Sequence, residues 1–173
     1  MKKGSEEEFF LLYETEADAL FRFVLFKISD REHVKDIVQE AFVRVWEYLS
    51  SGKRIDNKRA FLFRVAGNII IDFYRKKKEQ SLDQLHEAGF DAMDHREVNI
   101  SDKFDTDEAL AILQAFPDKQ REAIWLRTVE GWSVKDIAIH LEETENTVSV
   151  RIHRGLKIWR EKLASKKKPV KTS

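Results

Sequence analysis

Turn-forming residues are the scarcest component of this chain: six glycines and two prolines serve 173 residues. A β-sandwich or barrel needs a punctuating turn about every 8 to 12 residues, which so few glycines and prolines cannot supply. Long helices can be built from such a chain. Apolar residues that recur at three- and four-residue spacings point the same way. The expectation is an all-α fold: two small helical domains joined by an acidic flexible linker, the C-terminal one with a helix-turn-helix. The length, slightly above that of a usual domain, admits one or two compact units.

Charge supports the division. The chain holds 31 basic and 31 acidic residues, so its net charge is zero, which argues against a simple polycation. The distribution is uneven: residues 1–78 carry net +3, residues 79–108 net −8 and residues 109–173 net +5. The acidic stretch has no sustained periodicity and reads as a solvated, self-repelling connection. It is either an ordinary linker or a nucleic-acid-like thread for a basic channel. The expected boundaries are a helical domain at 5–78, the linker at 79–107, a second domain at 108–165 and a basic disordered tail at 166–173.

Several classes are excluded early. The chain has no cysteine, so disulfides, zinc fingers and thiol catalysis are out of reach. Its longest apolar runs, such as Phe23-Val24-Leu25-Phe26, are too short to cross a bilayer. The start, Met1-Lys2-Lys3-Gly4 followed by glutamates, lacks the apolar stretch of a signal peptide. A cytoplasmic protein without membrane insertion is expected. The histidines (33, 86, 95, 140 and 153) show no metal-binding spacing and are read as surface residues. With no glycine-rich phosphate loop either, no enzyme, metal or cofactor is expected.

In the first domain, three or four helices are predicted. Phe9, Leu12, Tyr13, Leu20, Phe21 and Val24 mark one, with an irregularity at Thr15 to Ala17. Asp30 is placed to cap the next, whose stripe is Val34, Ile37, Val38, Ala41, Val45, Tyr48 and Leu49, widened by Phe42 and Trp46. Asp36, Gln39, Glu40 and Glu47 lie on its other faces. A polar loop over residues 50–58 precedes a helix from about Lys58 to Lys77, buried through Leu62, Val65, Ala66, Ile69 and Phe73. Arg64, Asn68, Asp72 and Arg75 line its opposite side. Arg75-Lys76-Lys77-Lys78 closes it, where cations suit the negative helix end. A basic, hydrogen-bonding stripe beside a basic loop is also what a single-stranded nucleic acid requires.

In the second domain, a short helix at Ala109–Ala115 is broken at Phe116-Pro117. Pro117 is expected at the first position of a helix that carries Ile124, Trp125 and Val129 and stops at Gly131. Ser133 starts another, with Asp136 three residues on, and Thr144 caps the last. There Val148, Ile152, Leu156, Trp159 and Leu163 point inward. Asn146, Ser149, Val150, His153 and Lys157 point away, with Thr147, Arg151 and Arg154 on the flanks. Two helices joined by a three-residue turn, with small polar and arginine residues early in the second, describe a helix-turn-helix. A major groove admits such a helix, and its N-terminal side chains reach base edges.

These residues resemble a known family. Asp36-Ile37-Val38-Gln39-Glu40-Ala41-Phe42 with Trp46 is similar to the second conserved region of extracytoplasmic-function (ECF) sigma factors. Phe61-Leu62-Phe63-Arg64-Val65-Ala66-Gly67-Asn68, then Asp72 and Arg75, resembles that family's W-L-x-x-I-A-x-N-x-x-x-D-x-x-R helix. Phe116-Pro117-Asp118-Lys119-Gln120-Arg121-Glu122 resembles its L-P-x-x-x-R-E segment. Asp136-Ile137-Ala138, Thr147-Val148 and His153-Arg154-Gly155 resemble its E-I-A, T-V and H-R-A pattern. The motifs occur in order and span nearly the whole chain.

The resemblance implies a transcription initiation factor that binds core RNA polymerase and carries it to promoter DNA, with an anti-sigma factor as a further partner. It implies polymerase docking through Asp36, Gln39 and Glu40. It implies capture of the melted −10 strand by Arg54, Asp56, Asn57, Lys58, Asn68 and Arg75, with Asp72 as a structural ion-pair partner. It implies reading of the −35 duplex by Asn146, Thr147, Ser149, Val150, Arg151 and Arg154. The alternative is a stand-alone helix-turn-helix regulator that needs no polymerase; an inhibitory or adaptor relative is a third reading. The sequence departs from the family pattern at Phe61 (usually Trp), Phe116 (Leu) and Asp136 (Glu). It also departs at Glu142 and Glu143, where Gly and an aliphatic residue are usual. Glu142 is expected at positive φ, at about 1 kcal/mol, and Glu143 is expected to leave an apolar gap.

Overall fold

The computed structural model describes residues 3–28, 30–85 and 104–166. Among them are seven helices and no strand: α1 (Lys3–Lys27), α2 (Arg31–Ser50), α3 (Lys58–Leu85), α4 (Phe104–Gln114), α5 (Asp118–Thr128), α6 (Val134–Leu141) and α7 (Glu145–Lys166). They form two separate units, α1–α3 and α4–α7.

In the first unit each helix packs on both others. Leu20, Phe23 and Val24 of α1, Val34 and Val45 of α2, and Leu62 and Phe63 of α3 are fully buried at their junction. The Phe23 and Phe63 rings sit 5.1 Å apart between centroids, a contact worth about 0.5–1.5 kcal/mol beyond burial. The expected irregularity at Thr15 to Ala17 is absent. The Thr15 hydroxyl donates to the Leu11 carbonyl at 2.8 Å, so α1 runs through unbroken. Asp30 caps α2 by accepting the Glu32 N–H at 3.0 Å, and Asn57 caps α3 by accepting the Ala60 N–H at 2.9 Å. Polar ties fasten α3 to α1, among them two beyond its first residue. Arg59 meets Glu16 at 3.1 Å, and the Tyr74 hydroxyl donates to the Lys27 carbonyl at 2.6 Å.

Helix α3 does not stop near Lys77 but continues to Leu85. Glu79, Gln80, Leu82 and Gln84 are good helix formers, and no Gly or Pro interrupts them. The tetrad Arg75–Lys78 therefore lies inside the helix rather than at its negative end. At the other side α4 begins at Phe104, ahead of the expected Ala109. Helix thus takes both ends of the expected 79–107 connector. Residues 86–103, and the expected tail beyond Lys166, lie outside the described residues.

In the second unit α7 packs across α4, α5 and α6. Leu113, Ile124, Leu126, Trp132, Ile137 and Val148 are fully buried. Trp132 lies between α5 and α6, where Gly131 takes φ +68° and the Trp132 N–H bonds the Leu126 carbonyl at 2.9 Å. Pro117 stands just before α5 as its cap residue, not within it, and Val129 follows the last residue of α5 and is half exposed. The Trp159 indole N–H donates to the Ala109 carbonyl at 3.0 Å, fastening α7 to α4.

Candidate nucleic-acid interface

The helix-turn-helix is α6, a short turn and α7. Ser133 caps α6 through the Asp136 N–H at 3.0 Å and donates to the Asp136 carboxylate at 2.8 Å. The shorter Asp, in place of the usual Glu, thus still serves the cap. Thr144 caps α7 through the Thr147 N–H at 3.2 Å and bonds the Thr147 hydroxyl at 2.8 Å. Between the caps Glu142 is left-handed at φ 55°, ψ 44°, as the turn requires; it is the one non-glycine residue with positive φ among the described residues.

Glu143 corrects an expectation. Instead of an apolar gap, its carboxylate grips Arg151 of α7 with both oxygens, one by Nη1 and the other by Nη2 at 3.1 Å. Lys119 of α5 reaches the same carboxylate at 2.9 Å. The hydrogen bond from Arg151 holds the Glu143 carboxyl below the usual carboxylate range, helped by Lys119 and opposed by partial burial. Asn146, Ser149, Val150 and Arg154 are exposed and make no side-chain hydrogen bond or ion pair among the described residues. Arg151 is part-buried. One face of α7 therefore offers polar side chains outward while Val148, Ile152 and Gly155 are buried beneath.

A buried polar pair lies under this motif. Glu122 of α5 and His140 of α6 are each less than 10% exposed and hydrogen-bond through the imidazole Nε2. The Trp132 ring stands edge-on to the imidazole at 5.8 Å. His140 was expected at the surface; its position among Ile137, Ala138 and Leu141 on one short helix was the available signal.

In the first unit, the loop before α3 is open. Arg54 and Asp56 are over 90% exposed and stand 3.5 Å apart; Lys58 meets Glu8 of α1 at 3.4 Å. Asn57 is engaged as the α3 cap. Farther along α3, Asn68 is exposed, and Arg75 pairs with Asp72 one turn back at 3.4 Å. Exposed pairs of this kind contribute about 0–1 kcal/mol, so another anion can displace them at little cost. Aromatic faces stand nearby: Lys53 lies 5.0 Å over Tyr48 and Arg64 lies 5.8 Å over Phe61.

Asp36, Gln39 and Glu40 share the exposed side of α2, Glu40 being paired with Arg44. Through Gln39 this face adjoins an apolar groove of about 750 Å³ between α1 and α2, lined by Phe9, Phe10, Tyr13, Phe42, Val43 and Trp46. Phe10 is 67% exposed and Tyr13 50%. Among the described residues, no helix is long and apolar enough to cross a membrane.

Comparison with known proteins agrees with this division. Residues 12–80 match the family model for sigma-70 region 2, and residues 106–158 match that for sigma-70 region 4. The chain is 34% identical to the ECF RNA polymerase sigma factor SigL of Mycobacterium tuberculosis (strain H37Rv) over 155 residues, covering 86% of this chain and 85% of SigL. It is 29% identical to the ECF RNA polymerase sigma factor SigX of Bacillus subtilis (strain 168) over 161 residues, covering 90% and 83%. Its fold is similar to that of the sigma factor RpoE of Bartonella quintana, solved with the anti-sigma factor NepR. The TM-score there is 0.69 at 21% identity, over 94% of this chain and 99% of RpoE. It is also similar to CnrH, solved with the cytosolic domain of CnrY, with a TM-score of 0.63 at 22% identity over 92% and 90%. With region 2 on α1–α3, region 4 on α4–α7 and SigL as a relative along most of its length, the chain belongs to the ECF sigma factors, which direct RNA polymerase to promoters.

Proposed function

We propose that the two units divide promoter recognition, each too weak alone and selective only when polymerase sets their spacing. In this reading Asp36, Gln39 and Glu40 dock core RNA polymerase, and the aromatic groove beside Gln39 adds apolar area to a contact otherwise made of charges. Arg54, Asp56, Lys58, Asn68 and Arg75 hold the melted −10 strand: cations take phosphates, Asn68 reads a base edge, and the aromatic faces stack. Asn57 acts there through the loop shape it fixes as the α3 cap. Asn146, Thr147, Ser149, Val150 and Arg154 meet the −35 duplex in the major groove. Docking raises the effective concentration of each unit for its element. The protein works in the cytoplasm, catalyses no step of its own, and is held in check by an anti-sigma factor, as RpoE is seen with NepR.

The observation that carries this reading is the outward face of α7, whose Asn146, Ser149, Val150 and Arg154 have no internal partner among the described residues. The test is transcription by core polymerase with the purified chain. Asp36→Lys should abolish binding to core polymerase. Asn68→Ala and Arg154→Ala should keep that binding but lower promoter-dependent transcript by about five- to 150-fold, the loss expected from one base contact of about 1–3 kcal/mol. Failure of the wild-type chain to bind core polymerase would overturn the proposal.

A further inference from the structure

We propose that Glu143 is a specificity-determining residue that withholds Arg151 from DNA, leaving base reading to the other exposed side chains of α7. The inference rests on α7 as the duplex-reading helix and assigns the division of labour along it.

An arginine near the start of a groove-reading helix is the strongest reader of guanine available, because its forked edge matches the two acceptors of that base. Here the fork is already occupied. Nη1 and Nη2 of Arg151 each donate to a different oxygen of Glu143, the planar geometry that makes such pairs strong. The Gln120 side-chain amide also donates to the Arg151 carbonyl at 3.3 Å, anchoring the backbone from which the side chain leaves. For Arg151 to turn to a base, it would have to abandon Glu143. That would leave the part-buried Glu143 carboxylate with Lys119 alone.

Lys119 completes the cluster. It shares the Glu143 carboxylate, so one acid restrains two cations, one on the reading helix and one on the helix behind it. Glu143 thus lowers the positive charge the motif offers to any duplex and removes the side chain most able to impose a guanine preference. Asn146, Ser149, Val150 and Arg154, which carry no such restraint, keep their reach.

The test uses holoenzyme reconstituted with core polymerase and DNA selected from a random pool by the wild-type holoenzyme. Binding is titrated across salt concentrations for wild type, E143Q, R151A and E143Q/R151A. E143Q should bind about three- to tenfold tighter at low salt, with a log–log salt slope steeper by about one, as one added phosphate contact gives. In its own selection it should acquire a guanine preference. R151A alone should stay within about twofold of wild type, and the double variant should lose the gain of E143Q.

Weaker or unchanged binding by E143Q, a gain that survives R151A, or a loss beyond about fivefold in R151A alone would each overturn the proposal. Glutamine is isosteric with glutamate, and R151A decides the matter independently should E143Q not fold. A purely structural ion pair would shift thermal stability without moving salt slope or base preference. Absence of promoter-dependent transcripts with the wild-type chain faults the functional reading itself. Normal transcripts with the opposite variant pattern fault only the role of Glu143.

Discussion

Gly155 of α7 faces Ile124 of α5 so closely that a Cβ at position 155 would stand 2.5 Å from the Ile124 Cδ1 and 3.0 Å from the Gln120 Nε2. Ile124 is fully buried, so its terminal methyl has little room to retreat. Gly155→Ala should gain up to about 1 kcal/mol of helix propensity yet lose about 1–3 kcal/mol to overpacking. The expected net loss is about 1 kcal/mol in denaturant unfolding. Because valine lacks that methyl, Ile124→Val should cost less in the Gly155→Ala background than alone, a non-additivity expected of residues in contact. Strict additivity would show that the close approach is relieved elsewhere.

Glu142→Gly should raise stability. Glu142 holds φ 55°, where a side chain costs about 1–2 kcal/mol relative to glycine. Part of that gain is lost to the greater freedom of glycine in the unfolded chain. A rise of about 0.5–1 kcal/mol is expected in chemical denaturation, whereas Glu142→Ala should give none of it. Equal behaviour of the two variants would contradict the strain account.

Either Glu122→Ala or His140→Ala should destabilise the second unit by about 1–3 kcal/mol, the cost of leaving a buried polar group without its partner. The pair is less than 10% exposed on both sides. The double variant should cost clearly less than the two single losses together, and a double-mutant cycle by thermal unfolding reads the difference. A coupling near zero would mean that the two groups do not depend on each other.

Acidification should weaken both units through different groups. Glu143 is held below its ordinary value of 4.5, first by Arg151. Asp30 is held below 3.8, first by the hydrogen bond from His33 and then by the Glu32 N–H. A carboxyl whose value is lowered by folding stabilises the fold above its unfolded value, and that contribution is lost as pH falls through the folded one. The melting temperature should therefore hold from neutrality to about pH 5 and fall below it. The fall should be shallower in E143Q for the second unit and in Asp30→Asn for the first. Asp30 is exposed, so the difference in the first unit should be small.

What the chain discloses in one dimension is what depends on near neighbours. The caps at Asp30, Ser133 and Thr144 each act on an N–H two or three residues away, and all were legible from spacing. The apolar stripes of α2 and α7 were legible for the same reason. Trp132 was not. It sits between Gly131 and Ser133, where turn chemistry dominates the local pattern, yet it is the largest fully buried side chain among the described residues. His140 and Glu122 lie 18 residues apart and meet only because α5 and α6 pack together. Glu143 looked like a gap because its partners, 8 and 24 residues away, come from two other helices. The length of α3 is not legible, because a basic tetrad resembles a helix end whereas the residues after it simply continue the helix.

Two of the ties from α3 to α1, Arg59 with Glu16 and Tyr74 with the Lys27 carbonyl, bracket the stretch that carries Arg64, Asn68 and Asp72. On the proposed reading, that stretch is a rail fastened at both ends before any strand arrives. The ordering entropy of strand capture is then borne by the DNA and the outermost side-chain rotamers, not by the protein main chain. Cutting one tie, as in Tyr74→Phe, would make the factor share that burden and slow the opening step while docking is untouched.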